Sequence, residues 1–248
     1  MPTVPERRGG EAVEAVEAVE ARWPETRLVW DLPVRVVHWS LVISVAGAWA
    51  THYAGVEWFA WHRRLGYVTL VLVVFRLAWG VLGTRHARFA NFVRGPAAVL
   101  AHLRRSGGVP APGHTPLGGW SVLAMLVALL VQAGTGLVAN DEIANAGPLY
   151  GWVTHSLSNR ITGVHELNSN LVLTLVALHV LAIAWYVRVR RLPLVQAMLT
   201  GRKDATLVAA EEAIESSRTG LAILITACVA GALAIAIRLA PEATIALF

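Results

Sequence analysis

The stretch GVHELNSNLVLTLVALHVLAIAWYVRVRR, residues Gly163–Arg191, decides the fold of this chain. It carries two histidines, His165 and His179, fourteen residues apart along an otherwise apolar run. In an α-helix, fourteen residues make about 3.9 turns, so both imidazoles leave nearly the same face. They lie about 21 Å apart along the axis, which is most of the hydrocarbon thickness of a bilayer. The stretch therefore predicts a membrane-spanning helix that offers a metal ligand near each side of the membrane.

The composition places the whole chain among integral membrane proteins. Hydrophobic residues make up 56% of the 248 residues and charged residues only 15%, and the mean hydropathy is +0.55. A pI near 10.1 would suit nucleic acid, but nearly all the basic residues lie in loops beside apolar runs, where membrane topology requires them. We therefore expect contact with membrane lipid and none with nucleic acid. The single cysteine, Cys228, excludes an intrachain disulfide and a Cys-based iron–sulfur site.

Five apolar runs are long enough to cross a membrane. We expect the first four to form an up-down transmembrane bundle and the last to be a further, C-terminal transmembrane helix, so the fold class is an all-α membrane protein. The runs are Val34–Tyr53, Leu65–Leu82, Leu117–Ala139, Leu167–Val189 and Gly220–Leu239.

The rest of the chain divides around the four-helix domain, which we place at residues 28–191. Residues 1–27 include the low-complexity run EAVEAVEAVE and are predicted to be a disordered cytosolic tail. Residues 192–248 are predicted to form a polar surface segment followed by the fifth helix.

Loop charges predict the orientation of the bundle. Segments 1–33, 83–116 and 188–218 hold most of the lysines and arginines, whereas loops 54–64 and 140–162 hold three arginines. The positive-inside rule then puts the N-terminus in the cytoplasm. The chain is expected to be a multi-pass protein of a bacterial cytoplasmic (inner) membrane.

Up-down threading sorts four histidines into two layers. His38 begins the first span and His179 lies near the end of the fourth, so both fall near the cytoplasmic side. His62 and His165 begin the second and fourth spans and fall near the outer side. A single histidine at such a depth can simply be hydrated at the membrane interface. Two on different helices in each layer, with His179 surrounded by apolar residues, favour a functional site.

The chemistry of these pairs points to haem. Two imidazoles per layer do not complete a tetrahedral zinc site, but they suit a haem iron held from both faces by axial histidines. Such an iron has no open position for a substrate, so it is suited to electron transfer. Two stacked layers therefore predict two haems and an electron path across the membrane.

One alternative ligand and two possible counter-ions remain open. His52 lies fourteen residues after His38 and also reaches the outer layer. We prefer His62 as the iron ligand because it lies beside Gly66, in HRRLGYV, where a flat ring can approach the backbone. Arg76 shares the face of His62 at cytoplasmic depth and is a candidate partner for a haem propionate or a loop carboxylate; Arg35, one turn before His38, is a weaker one.

Four blocks of this sequence together resemble the bacterial cytochrome b561 family, which includes the b-type subunits of nickel–iron hydrogenases and formate dehydrogenases. The blocks are VWDLPVRVVHWSL, WHRRLGYVTLVLVVFRLAWG, QAGTGL and VHELNSNLVLTLVALHV, within residues 28–191. The resemblance implies a four-helix core with two haems b. It implies that His62 pairs with His165 on the outer side and His38 with His179 on the inner side. His52 stands where relatives often have glycine.

The resemblance also implies a function and partners. We expect an electron-transfer subunit of an oxidoreductase, carrying electrons between a periplasmic redox protein (a c-type cytochrome, or a hydrogenase or dehydrogenase subunit) and the quinone pool of the respiratory chain. Quinone is expected near the cytoplasmic haem, beside His38, His179 and Arg76. The alternatives are a stand-alone quinol or superoxide oxidoreductase and, from another class, a transporter whose histidines relay protons or bind a metal ion.

Overall fold

The computed structural model describes residues 25–104, 113–143 and 145–241. The helices of these residues, in chain order, are α1 (Leu32–Tyr53), α2 (Phe59–Leu82), α3 (Phe89–Phe92), α4 (Pro96–Arg104), α5 (Pro116–Gly136), α6 (His155–Arg188), α7 (Leu194–Thr200) and α8 (Thr219–Leu239). Helices α1, α2, α5, α6 and α8 are long and apolar enough to cross a membrane, so the prediction of five spans is confirmed. The EAV repeat lies outside the described residues.

Helix α2 is the centre of the bundle. It packs along α1 on one side and along α5 on another, and the C-terminal helix α8 also packs against it. Helix α6 packs closely along α5 but, among the described residues, not along α1 or α2. A gap therefore separates α6 from the pair α1–α2. We call the end of the bundle where α1 begins the proximal end, and the other the distal end.

A buried carboxylate fixes the proximal end of α1 against α2. Asp31 is the N-cap of α1 and accepts a 2.7 Å hydrogen bond from the amide of Val34. Its other oxygen accepts hydrogen bonds from Trp79 Nε1, at 3.1 Å, and from the Thr84 hydroxyl. The carboxylate is 1% exposed. One residue thus joins the start of the helix that carries His38 to the end of the helix that carries His62.

The proximal end is closed by the segment after α7. Strand β1 (Thr26–Leu28) pairs antiparallel with β2 (Arg202–Asp204), so residues 25–27 of the predicted tail are part of the fold. The amide of Ile214 donates to the Leu28 carbonyl at 3.0 Å, which continues the attachment. The predicted division at residue 191 stays a prediction.

Two spans begin earlier than the apolar runs suggest. Helix α2 begins at Phe59 rather than Leu65, and α6 begins at His155 rather than Leu167. The first turns of α6 are polar, but Thr154 caps them by accepting from the Leu157 amide. Ser158 is fully buried and donates to the Val138 carbonyl at 2.7 Å. Hydrogen bonds to another part of the chain, rather than apolar side chains, hold this part of the helix.

Candidate functional site

The gap between α6 and the pair α1–α2 contains two facing pairs of imidazole rings. In the distal pair, His62 of α2 faces His165 of α6 with ring centroids 6.4 Å apart. In the proximal pair, His38 of α1 faces His179 of α6 with ring centroids 6.5 Å apart. The structure thus brings together the same two pairs that the sequence predicted.

The separation of each pair suits two axial ligands of one iron. An imidazole nitrogen binds a metal at about 2 Å and lies about 1.1 Å from its own ring centre, so two imidazoles on one iron have centres about 6.2 Å apart. Both observed distances, 6.4 and 6.5 Å, are close to this value. Both pairs therefore fit a haem iron.

Backbone carbonyls orient the two distal imidazoles. The Nδ1 atom of His62 lies 2.7 Å from the carbonyl oxygen of Ala48, and Nδ1 of His165 lies 2.9 Å from that of Gln132. Because a carbonyl oxygen only accepts, each Nδ1 carries the proton and each Nε2 is left as the nitrogen with the lone pair. A histidine that binds a metal commonly has this second hydrogen bond, which fixes its tautomer and its ring plane.

Open space lies beside the distal pair. A Cβ atom added to Gly66, one turn after His62, would meet no atom within 4 Å. On α5, a Cβ at Gly136 would come within 3.0 Å of the His165 ring. The first glycine leaves room in the gap, and the second lets α5 approach His165 closely. The space at Gly66 agrees with a flat group beside His62.

Three polar residues near His165 were not predicted as site residues. Gln132 places its Nε2 atom 3.1 Å from His165 Nε2, and the Thr135 hydroxyl lies 3.1 Å from Nδ1. Asn168, one turn after His165, donates to the Gln132 side-chain oxygen at 2.7 Å. The motif QAGTGL contains Gln132 and Thr135, so the signal was in the sequence. Whether these two side chains reach His165 depends on how α5 is rotated toward α6, which the motif does not show.

The imidazole of His38, in the proximal pair, has different surroundings. The His38 ring packs edge-on against Trp39 at 5.1 Å. Its Nδ1 atom is buried and, within the described part of the chain, has no hydrogen-bond partner. A buried polar atom without a partner costs free energy, and such atoms often mark a site whose ligand supplies the partner. This orphan atom fits a polar group bound in the gap near His38.

His52 lies beside His62 of the distal pair. Its ring centroid is 5.7 Å from that of His62, and it packs edge-on against Tyr53 at 4.8 Å. Among the described residues, the ring that His165 faces is that of His62. The residue is exposed, whereas His62 is partly buried. The arrangement favours His62 over His52 as the partner of His165.

The two arginine candidates have different surroundings. Arg76 is 6% exposed, donates to the Ala87 carbonyl at 3.2 Å and lies over the Phe89 ring at 5.3 Å. Within residues 25–104, 113–143 and 145–241 it has no carboxylate within ion-pair distance. Arg35 instead donates to the Leu199 carbonyl at the end of α7, at 2.5 Å. Arg76 therefore has a buried charge still available to an anionic group, whereas Arg35 is directed to α7.

The remaining described histidines lie outside the membrane-spanning layers. His155 is at the distal end, 3.7 Å from a Glu142 carboxylate oxygen. At the proximal end, His86 Nε2 donates to the Glu212 carbonyl at 2.7 Å. His114 lies between the rings of Trp30 and Phe92, with centroid distances of 4.8 and 4.4 Å. Burial lowers the pKa of His86, and burial followed by the nearby Arg76 lowers the pKa of His114 to about 3. At neutral pH both rings are therefore uncharged.

Comparison with known proteins gives one match. The model of a family described as prokaryotic cytochrome b561 matches residues 29–201. These residues begin just before α1 and end at Gly201, so they contain both imidazole pairs. Neither the curated proteins nor the solved structures give a significant match.

Proposed function

Because the chain belongs to the prokaryotic cytochrome b561 family, we propose that it is a dihaem cytochrome that carries electrons across the cytoplasmic membrane. Membership and the five apolar helices make it a multi-pass membrane cytochrome of the b type, which binds haem b and transfers electrons. The proposal adds the number of haems, their ligands and a path that crosses the membrane.

One observation carries the proposal: the gap beside α6 holds two imidazole pairs at two depths. His62 and His165 would hold one haem near the distal end, and His38 and His179 the other near the proximal end. The spacing of 6.4 and 6.5 Å supports both assignments. The distal tautomers, with both Nδ1 atoms bound to carbonyls, support the first. Each haem would supply a one-electron couple when bound.

The protein's own residues would hold and tune these groups. If two histidines held each iron, no site for oxygen or substrate would be left on it, which would favour electron transfer over bond-making chemistry. Gln132 and Thr135 contact the His165 ring and so limit how far this ring can move. Arg76 places a buried positive charge at proximal depth, which favours the reduced state of a nearby iron.

The partners belong to the same proposal. We place the proximal end in the cytoplasm, because the proximal loops carry most of the basic residues. A periplasmic redox protein would then exchange electrons at the distal haem, and quinone would react near His38, His179 and Arg76. The chain would act as the electron-transfer subunit of an oxidoreductase.

The direct test is the haem content of the purified protein and of single variants. We expect two haems b per chain and a reduced-minus-oxidised spectrum typical of six-coordinate iron. His62→Ala and His165→Ala should each lose one haem and keep the other. His52→Ala is the matched control, because it removes a nearby imidazole that does not face His165, and it should keep both.

Two results would contradict the proposal. A stoichiometry of one haem in the unaltered protein would exclude the two-layer arrangement. Loss of the distal haem in His52→Ala, with retention in His62→Ala, would move the distal ligand from α2 to α1.

A further inference from the structure

An open pocket lies at the proximal end, and its lining includes none of the four paired histidines. It has a volume of about 280 Å³ and lies between the end of α2 and the start of α5. Its lining includes two arginines, Arg85 and Arg94, one carboxylate residue, Glu212, and the apolar ring of Phe92. Nothing in the proposed electron path uses this pocket.

The two arginines give the pocket a positive character. Among the described residues, neither guanidinium forms an ion pair, and the Arg94 side chain makes no hydrogen bond. Arg85 donates to the Glu211 carbonyl at 2.7 Å, which fixes the side chain. Two arginines and one glutamate, Glu212, therefore line the pocket, so basic residues outnumber acidic ones there. Phosphate oxygens are the groups that arginine binds best in this setting.

Histidines of the lining add hydrogen-bonding capacity without charge. His114 Nδ1 is buried and, in the part of the chain that the structure describes, has no hydrogen-bond partner. The His86 ring is fixed by its bond to the Glu212 carbonyl. A polar ligand in the pocket would give the His114 nitrogen the partner that it lacks.

The depth of the pocket matches the headgroup region of a bilayer. Trp120 lies one turn into α5, is 43% exposed, and its Nε1 donates to the Arg94 carbonyl at 2.8 Å. Exposed tryptophans at the ends of membrane-spanning helices mark the boundary between hydrocarbon and headgroups. We therefore expect Arg94 to lie at the depth of the lipid headgroups, where α5 enters the bilayer.

We propose that this pocket binds a phospholipid headgroup, with the phosphate between Arg85 and Arg94. The start of α5 at the pocket adds the partial positive charge of a helix N-terminus. Glu212 would accept the ammonium group of an ethanolamine headgroup, so phosphatidylethanolamine should bind better than phosphatidylglycerol. Basic pockets beside membrane helices bind lipid headgroups in this way.

The test is a titration of the purified full-length protein, in non-ionic detergent, with short-chain phosphatidylethanolamine, read as lipid adducts by native mass spectrometry. Arg94→Gln removes a guanidinium that holds no other group, so the fold should be kept and the affinity should fall about tenfold. Arg88→Gln is the matched control, because Arg88 is an exposed arginine of the same segment outside the lining. It should bind as the unaltered protein does.

Two further binding measurements identify the ligand. Glu212→Gln should lower the affinity for phosphatidylethanolamine and leave that for phosphatidylglycerol unchanged. Excess inorganic phosphate should not displace the lipid. Equal binding by Arg94→Gln and the unaltered protein, or an equal loss in Arg88→Gln, would overturn the site. Displacement by inorganic phosphate would show a free-phosphate site and overturn the assignment to lipid.

Discussion

At the scale of single residues, Arg76 makes the strongest prediction, because its charge is buried and has no ion-pair partner among the described residues. Replacing it with methionine removes a positive charge from the proximal end while keeping an unbranched side chain. Since a nearby positive charge favours the reduced iron, we expect Arg76→Met to lower the midpoint potential of one haem by about 60 mV, a tenfold change for a one-electron couple. A redox titration of the purified protein measures this shift.

Arg35 provides the control for that prediction. Its guanidinium is less buried than that of Arg76 and is directed to the Leu199 carbonyl at α7, so solvent screens its charge and Arg35→Met should shift the potential less. A shift of the same size in both variants would show that net charge, rather than the position of Arg76, sets the potential.

The His114 ring predicts a pH dependence of stability. Its pKa falls from 6.5 in the unfolded chain to about 3 in the fold, because burial disfavours the charged form. The contribution of the neutral ring to the free energy of unfolding is complete above about pH 6.5 and is lost as the pH falls from there toward 3. In that range the unfolding constant should rise about tenfold for each pH unit. His114→Phe keeps the ring between Trp30 and Phe92 and should flatten this slope.

Thermal unfolding in detergent between pH 7 and pH 5 makes the comparison. His86 contributes in the same direction, because burial also lowers its pKa, so some slope should remain in His114→Phe. Identical slopes in both proteins would assign the pH dependence to other groups.

From the sequence, a spacing of fourteen residues and the loop charges predict the depth of the four facing histidines, with His52 left open as an alternative to His62. The sequence did not identify the groups that orient them. The Ala48 carbonyl and the Gln132 side chain act across helix contacts, and their position depends on how each helix is rotated about its axis. Periodicity gives the face of one helix, but not which neighbour that face meets.

At the scale of helices and their ends, Asp31 carries the prediction. It caps α1 and accepts from two further donors, Trp79 Nε1 and the Thr84 hydroxyl. Asp31→Ala removes a cap worth about 1 kcal/mol and leaves two buried donors unpaired at about 1 kcal/mol or more each. We expect a loss of about 3 kcal/mol in the free energy of unfolding, measured by denaturation in detergent.

The matched control is another N-cap of a membrane-length helix. Thr115 caps α5 by accepting from the Gly118 amide at 3.1 Å, and among the described residues its side chain makes no other hydrogen bond. Thr115→Ala should therefore cost only about 1 kcal/mol. Equal losses in the two variants would mean that the Trp79 and Thr84 contacts do not stabilise the bundle.

Helix ends were also where the sequence prediction was least accurate. Apolar runs locate the part of a helix that lies in lipid, and the five runs were placed correctly. They do not show how far the helix continues into polar surroundings. The segment from His155 to Glu166 is helical because Ser158 and Thr162 bond to residues of the preceding loop, and such tertiary contacts have no signature in hydropathy.

At the scale of the whole molecule, the two imidazole pairs share one helix. Helix α6 carries His165 and His179, while their partners belong to α2 and α1. The packing of α6 along α5 thus fixes both layers at once. If the two pairs hold two haems as proposed, electron transfer across the membrane would require both layers, and the loss of either should interrupt the path.

His179→Ala in sealed vesicles tests this dependence. With a reductant outside and ferricyanide trapped inside, we expect the unaltered protein to reduce the trapped acceptor. The variant should lose the proximal haem and, with it, nearly all transfer, because the remaining gap of about 20 Å is most of the hydrocarbon thickness. Its distal haem should still bind and still be reducible. His155→Ala, which removes an exposed distal histidine outside both pairs, should transfer electrons normally. Undiminished transfer by a His179→Ala protein that holds one haem would show that a single layer suffices, and the path through two layers would have to be abandoned.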